Sequence, residues 1–261
     1  MGKTSLKVGV LGAAGRMGQT ACSAVMSDES VELSAAVDLN ADSAEVSFDG
    51  VTLSGELGDF FKAKVDVVVD FTVAEASRTN LPLLAEEGID AVVGTSGLSE
   101  QDFEWIDQKF DKSSCLVVPN FAIGAVLMMH FAATASPWFK TAEIIEYHHN
   151  QKIDSPSGTA LATAEMMHAA SDEWENDPTT KENILGARGA KLEGIPIHSV
   201  RMQGMVAHQE VILGSTGQTL TIRHDSTDRE SFMPGVLMAV KGVGGLSNGL
   251  TVGLEKLLGI E

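Results

Sequence analysis

Val8-Gly-Val-Leu-Gly-Ala-Ala-Gly-Arg-Met-Gly18 is the stretch that decides the fold of this chain. Residues 7–11 are apolar enough for a buried strand, and residues 17–27 carry apolar positions at helical spacing. Gly12, Gly15 and Gly18 lie between and just inside them. In that setting the first glycine permits a tight turn, the second lets a pyrophosphate approach the backbone, and the third lets the helix pack closely on the strand. The start of the helix then offers unpaired N–H groups and a partial positive charge to phosphate. A second apolar run, 31–38, ends on Asp38, about 20 positions past the last glycine, where an acid can accept hydrogen bonds from the adenosine ribose. The sequence therefore predicts a βαβ unit that binds a dinucleotide; a purely structural strand–helix turn is the alternative. Asp38 disfavours a 2′-phosphate and Leu39 adds no cation, whereas Arg16 lies in the loop and can pair with one. NADH is the expected cofactor, with some use of NADPH.

Outward from this unit, strand-like runs recur at 65–71, 91–94 and 115–118, separated by helical patterns at 74–87 and 99–110. Runs such as Val65-Asp66-Val67-Val68-Val69 read as buried on both faces, which is the mark of a parallel sheet. The alternation predicts right-handed crossovers and a doubly wound Rossmann sheet. Ligands of such sheets bind at the carboxyl ends of strands. Gly94-Thr95-Ser96-Gly97 and Pro119-Asn120-Phe121 fall there, although each by itself is compatible with an ordinary loop.

The second half differs. A helix over 123–139 leads to a strand at 142–147, a polar loop and a helix at 158–170. Residues 171–194 read as a long polar connector. Three β-rich runs follow at 197–201, 206–213 and 219–224, then a helix at 229–240 and an apolar tail able to return to the first domain. Consecutive strands without helices predict an α+β domain with a mixed, partly antiparallel sheet. The expected division is residues 1–121 with 230–261 for the dinucleotide, and 122–229 for substrate binding and assembly.

Thirty-six acidic residues against 18 basic ones give a formal net charge of −18. That field repels nucleic-acid backbones and anionic membranes, so neither is an expected partner. The two cysteines, Cys22 and Cys115, lie in apolar segments and read as buried, reduced thiols. No leader and no membrane span are expected, and the location expected is the cytoplasm.

An anionic ligand of so acidic a chain needs a local concentration of positive charge, and Glu146-Tyr-His-His-Asn-Gln-Lys-Ile-Asp-Ser-Pro-Ser-Gly-Thr159 supplies one. His148, His149 and Lys152 gather on one loop, and Ser157-Gly158-Thr159 opens the next helix. Imidazole, ammonium and helix start together suit a small dicarboxylate, and a histidine there can donate a proton near neutral pH. The serine also reads simply as a helix cap. No Cys or carboxylate stands at a ligand spacing from the histidine pair, so no metal is expected. His130, His168, His198, His208 and His224 read as satisfied core or surface residues.

Along nearly its whole length the sequence resembles the 4-hydroxy-tetrahydrodipicolinate (dihydrodipicolinate) reductases of bacterial lysine biosynthesis, the actinobacterial branch in particular. The likeness rests on residues 8–18, Asp70-Phe-Thr72, Val93-Gly-Thr-Ser-Gly97, Pro119-Asn-Phe-Ala-Ile-Gly124, Glu143-Ile-Ile-Glu146, Gly186-Ala-Arg-Gly189, Gly194-Ile-Pro-Ile-His-Ser-Val-Arg201, His208-Gln-Glu210 and Phe232-Met-Pro-Gly235. Its most specific part is His148-His149-x-x-Lys152-x-Asp154-x-Pro156-Ser-Gly-Thr159. The resemblance implies a homotetramer, a hinge between two domains, and hydride delivery to a cyclic imine dicarboxylate. By the same resemblance His148 is the proton donor and Lys152 its catalytic partner. His149, Lys152, Ser157, Gly158 and Thr159 bind the substrate carboxylates. Cofactor contacts fall on Gly12, Ala13, Ala14, Gly15, Arg16, Met17, Asp38, Gly94, Thr95, Ser96, Val118, Pro119, Asn120 and Phe121. Asp38 stands where the family often has Glu, Leu39 where some members have Arg, and Ser96 where Thr is common. Two rivals share the glycine loop: another Rossmann dehydrogenase of amino or hydroxy acids, and a non-catalytic NAD(H) sensor lacking proton donors.

Overall fold

Val67, Val68 and Val69 are each no more than 1% exposed, which requires cover on both faces of their sheet. They form most of β4 (Val67–Asp70), the middle strand of seven in a sheet whose ladders are all parallel. The computed structural model describes residues 5–260. It divides the chain into two units, Met1–Phe121 with Phe232–Glu261, and Ala122–Ser231.

In the first unit β1 (Leu6–Leu11), α1 (Arg16–Ser27), β2 (Val31–Val37), β3 (Leu53–Ser54) and α2 (Gly58–Ala63) precede β4. After it come α3 (Ala74–Glu86), β5 (Asp90–Val93), α4 (Glu100–Lys109) and β6 (Ser114–Val117). With β12 (Gly249–Val252) at one edge, the strand order β12-β6-β5-β4-β1-β2-β3 reverses direction between β1 and β4, the switch point at which open α/β sheets take their ligands. Helix α4 begins on a complete capping box, the Ser99 hydroxyl accepting from Asp102 N–H while Asp102 accepts from Ser99 N–H.

The second unit holds α5 (Ile123–Ala135), β7 (Thr141–His148), α6 (Gly158–Ala170), β8 (Ala190–Leu192), β9 (Ile195–Arg201), β10 (Ala207–Ser215) and β11 (Gln218–Ser226). Its sheet runs β11-β10-β7-β9-β8, antiparallel except for the β7–β9 pair. Helices α5 and α6 pack on each other and on strands of this sheet. Three expectations change here. Helix α5 ends at Ala135 and continues only as a single 3-10 turn, because Pro137 has no N–H for an α-helical bond. The connector predicted over 171–194 is not loop to its end: Glu193 and Gly194, both at positive φ, turn β8 back against β9. The last helix starts four residues later than its pattern, since residues 229–232 form a 3-10 turn before α7 (Met233–Gly242).

The apolar tail returns to the first unit as β12 (Gly249–Val252), an edge strand parallel to β6, followed by α8 (Glu255–Leu258). Lys241 on α7 closes a 2.5 Å ion pair with Asp28 at the end of α1. None of the helices among the described residues is long and apolar enough to cross a membrane.

Candidate active site

At the carboxyl ends of β1, β2 and β4 a cleft of about 280 Å³ opens between Gly12, Asp38, Leu39, Asn40, Thr72 and Asn80. The glycine loop forms its floor. Gly12 has a φ of +80°, and a side chain there would run into the Phe71 carbonyl. At Gly18 any Cβ would overlap the Gly12 backbone, which is what close packing of α1 on β1 requires. A Cβ on Gly15 would meet only the Gly12 carbonyl, at 3.2 Å, and Gly15 itself caps α1 without a side chain. The loop amides of Gly12 and Ala13 are bonded to Val37 C=O, and that of Gly15 to Gly12 C=O. The first-turn N–H groups from Arg16 onward, by contrast, have no intrahelical acceptor. This open, amide-lined cradle fits a pyrophosphate.

Asp38 departs from the simple ribose acceptor expected of it. It is buried, its Oδ2 accepts from Ala14 N–H at 3.0 Å, and its Oδ1 accepts from the main-chain and side-chain nitrogens of Asn40. The carboxylate therefore braces the glycine loop, with lone pairs left for a hydroxyl. Leu39 is 88% exposed, Arg16 is exposed, and among the described residues no basic side chain lines the cleft.

Gly94, Thr95 and Ser96 lie beyond β5, and Val118 to Phe121 beyond β6. Phe121 meets Phe71 edge to face at 5.6 Å, and a side chain at Gly94 would strike both rings. Thr95 is buried against Asp70, a carboxylate without exposure that also accepts from Thr72 N–H, Thr72 O–H and Ser77 O–H. These neutral donors lock the ends of β4 and β5 together. Val118 is fixed by its N–H on Val93 C=O, and Pro119 is exposed.

In the second unit, alternation along β7 turns Ala142, Ile144 and Glu146 into the core. Glu146 has no exposed surface. Two guanidinium nitrogens of Arg201 on β9 reach its oxygens at 2.7 and 2.8 Å, His148 Nδ1 lies 2.5 Å from Oε2, and Ser157 N–H donates to Oε1 at 3.2 Å. Burial by itself would raise the Glu146 carboxyl; the bonds from His148 and Arg201 outweigh it and hold it at about 2. Ser157 caps α6, its hydroxyl accepting from Ala160 N–H.

Two expectations for the loop are refined. Lys152 is not free positive charge, because its ammonium spans both oxygens of Asp154 at 2.7 and 2.8 Å, and Lys152 in turn lowers the Asp154 carboxyl. Asp154 is largely exposed, so this pair is worth at most about 1 kcal/mol and yields readily to a doubly charged ligand. The Ser157 amide, expected among the groups open to an anion, is already committed to Glu146. His149 is exposed, and Gly158 and Thr159 form the first turn of α6.

The residues missed in the sequence are Glu146 and Arg201. A signal was present: Glu146 and His148 are two apart on one strand, hence on one face, and a carboxylate among Ile144 and Ala142 needs a cation. Of the remaining histidines, His198 bonds Glu143 at 2.6 Å and His208 bonds Asp225 at 2.7 Å. Cys22 and Cys115 are buried, and burial pushes the Cys22 thiol up to about 12. Among the described residues no group of His, Cys, Asp and Glu is arranged to hold a metal ion.

Comparison with known proteins places these features in a family. The family model for the N-terminus of dihydrodipicolinate reductase matches residues 6–121, and that for its C-terminus matches residues 124–258. The 4-hydroxy-tetrahydrodipicolinate reductase of Cutibacterium acnes is 48% identical over 98% of this chain and 100% of its own length. That of Mycolicibacterium smegmatis is 47% identical at the same coverage. The structure of dipicolinate-bound dihydrodipicolinate reductase from Paenisporosarcina sp. TG-14 superposes with a TM-score of 0.88, at 38% identity, over 97% of this chain and 99% of that one. An amine dehydrogenase from Mycobacterium smegmatis, 12% identical with a TM-score of 0.62, shares the fold alone.

Proposed function

The chain belongs to the dihydrodipicolinate reductase family, whose reaction is the NAD(P)H-dependent reduction of a cyclic imine dicarboxylate to tetrahydrodipicolinate, and we propose how its own residues divide that work. Reduced nicotinamide supplies the hydride. The first unit holds the cofactor: the α1 amides from Arg16 and Met17 take the pyrophosphate over Gly12, Ala13, Ala14 and Gly15. Asp38 takes the adenosine ribose, and Gly94–Ser96 with Val118–Phe121 flank the nicotinamide end. An acidic Asp38, an exposed apolar Leu39 and a cleft without basic lining among the described residues favour NADH, with Arg16 admitting some NADPH.

In the second unit, His149, Lys152 and the Ser157-Gly158-Thr159 turn hold the two carboxylates, and Lys152 exchanges Asp154 for the ligand. His148 gives the proton. Its Nδ1 faces an ionised Glu146 and keeps its hydrogen, so the proton passed to the substrate is the one on Nε2 of the imidazolium, and the ring is left as the neutral Nδ1–H form. Charge pairing and protonation withdraw electrons from the conjugated imine and lower the barrier to hydride addition. The observation that carries this assignment is one buried carboxylate bonded to both His148 and the anion-holding turn at Ser157. The likeness to proteins of other specificity extends to the fold alone, and a sensor has no need of a proton donor. This reaction supports lysine and diaminopimelate synthesis, and we infer that it runs in the cytoplasm.

Assembly as a homotetramer is supported by the outer face of the five-stranded sheet. There Ile145, Tyr147, Val200 and Ile212 are half-buried among the Arg223–Glu210 and Arg223–Asp225 pairs.

The test is an assay that couples the preceding aldolase product to NADH or NADPH oxidation. His148→Ala and Lys152→Ala are each expected to lower turnover at least tenfold to hundredfold, roughly the scale of a lost acid–base group. Near-normal turnover in both variants would sink the site.

A further inference from the structure

His148, the loop that follows it and the start of α6 all converge on one ion pair in the core of the second unit. We propose that Glu146, backed by Arg201, is the positioning residue of this reductase: it fixes which ring nitrogen of His148 carries the hydrogen and clamps the ring to the turn at Ser157. The proposal deepens the assignment of His148 as proton donor and rests on it.

An ionised carboxylate only accepts hydrogen bonds, and the paired guanidinium contacts keep Glu146 ionised. His148 Nδ1, 2.5 Å from Oε2, must therefore donate, which leaves Nε2 as the nitrogen that can pass a proton outward. Glu146 has no exposed surface, so its effect on a substrate runs through His148 rather than by contact. The same ion pair spans the loop. Arg201 donates to the Asp154 carbonyl at 2.8 Å, and Glu146 accepts from the Ser157 amide, so 149–157 is tied down at its start, middle and end.

The ladder places Glu146 between Gln209 on β10 and Ser199 on β9, a polar row in the sheet. Buried ion pairs are poor stabilisers compared with apolar packing, which points to geometry as the reason for this one. His148 bonds Glu146 on β7 and lies opposite Arg201 on β9, while Lys152 and Asp154 pair with each other in the loop that follows.

The experiment compares the full-length chain with Glu146→Gln, His148→Gln and the double variant, by steady-state kinetics and by NMR of ¹⁵N-labelled histidine, in which protonated and bare ring nitrogens separate. Glu146→Gln is expected to lower kcat about a hundredfold, in the manner of a misoriented or wrong-tautomer imidazole. KM for the dinucleotide should stay within about twofold, because cofactor binding is assigned to the other unit. The double variant should be no slower than His148→Gln, since both remove the same function. With the His148 ring neutral, the state that follows donation from Nε2, the spectrum should show the Nδ1–H tautomer in the parent chain and its loss in Glu146→Gln. If Glu146→Gln is poorly folded because Arg201 is left unpaired, Glu146→Gln/Arg201→Gln removes both charges and carries the same expectations. Full turnover in His148→Gln would remove the proton-donor assignment alone, and the tautomer measurement still decides the positioning. An unchanged tautomer, or losses that add in the double variant, would overturn the proposal.

Discussion

Asp38 shows how one side chain can answer to two demands. Its carboxylate accepts the Ala14 and Asn40 amides, and those bonds hold the glycine loop against the end of β2. Its remaining lone pairs and its charge face the cleft in which an adenosine ribose is proposed to sit. Removing the side chain would therefore confuse two effects, because Ala14 N–H would lose its acceptor. Asp38→Asn separates them, since it keeps an acceptor for the loop but discards the charge and can donate to a phosphate. A hydrogen bond involving a charged group is worth about 1.5–3 kcal/mol, so the ratio of kcat/KM for NADPH over NADH should rise roughly tenfold or more. The measurement is that ratio in purified enzyme, with Asp38→Ala as the contrast expected to weaken both cofactors. An unchanged ratio in Asp38→Asn would remove the ribose role.

At the scale of elements, what the sequence makes legible is what short-range physics decides. The all-apolar run at Val67–Val69 announces a central parallel strand, and three glycines between a strand and a helix announce a cradle. The helical pattern of α5 overruns its end, since it carries on to 139 although Pro137 cannot donate the next helical bond. Less legible are elements whose reason for existing is a distant partner. β3 has two residues and is a strand because it meets Ala36 and Val37. β12 is separated by more than 130 residues from the strand β6 that it pairs with, and only its apolar character hinted at a return. In the site, His148 to Thr159 stood out by composition, whereas Glu146 and Arg201 lie on strands that meet only in the folded sheet. The link between α1 and β1 gives the test at this scale. Gly18→Ala would gain up to about 1 kcal/mol of helix propensity. The new methyl, however, would overlap the Gly12 backbone, which has no soft way to retreat. Overpacking of that kind costs about 1–3 kcal/mol. The net expectation is a Tm lowered by several degrees together with weaker NADH binding, read by thermal melts and fluorescence titration. A Tm above that of the parent chain would mean that α1 does not pack as described.

For the whole molecule, 36 acidic against 18 basic residues set up two opposing responses to acid. As pH falls from 7 toward the isoelectric point near 4.7, the net charge of −18 is relieved and self-repulsion with it, which favours the compact state. Below that, carboxyls whose folded values are depressed begin to act. A group held lower in the folded chain takes up its proton more readily when unfolded, so its stabilisation is complete above the unfolded value and disappears as pH falls to the folded one. Glu146 acts this way between 4.5 and about 2, because its bonds from His148 and Arg201 overcome its burial. Asp28 does so between 3.8 and about 2, through its hydrogen bond from Lys241. Asp102, held down by Arg78, and Asp177, held down by Arg188, act in the same direction. Asp90 opposes them, since burial raises it and its protonation favours the fold. Asp59, Asp154, Glu173, Glu182 and Asp225 are lowered as well, so among the described residues the depressed carboxyls outnumber the one raised and decide the sign. Tm should hold or rise slightly from pH 7 to about 5 and then fall steeply below about 4.5. In Glu146→Gln/Arg201→Gln that acid limb should be shallower by up to one proton, about 1.4 kcal/mol per pH unit. Melts of both chains across pH 7 to 2.5 measure it directly, and parallel acid limbs would show that the Glu146–Arg201 pair does not hold its charge in the folded state.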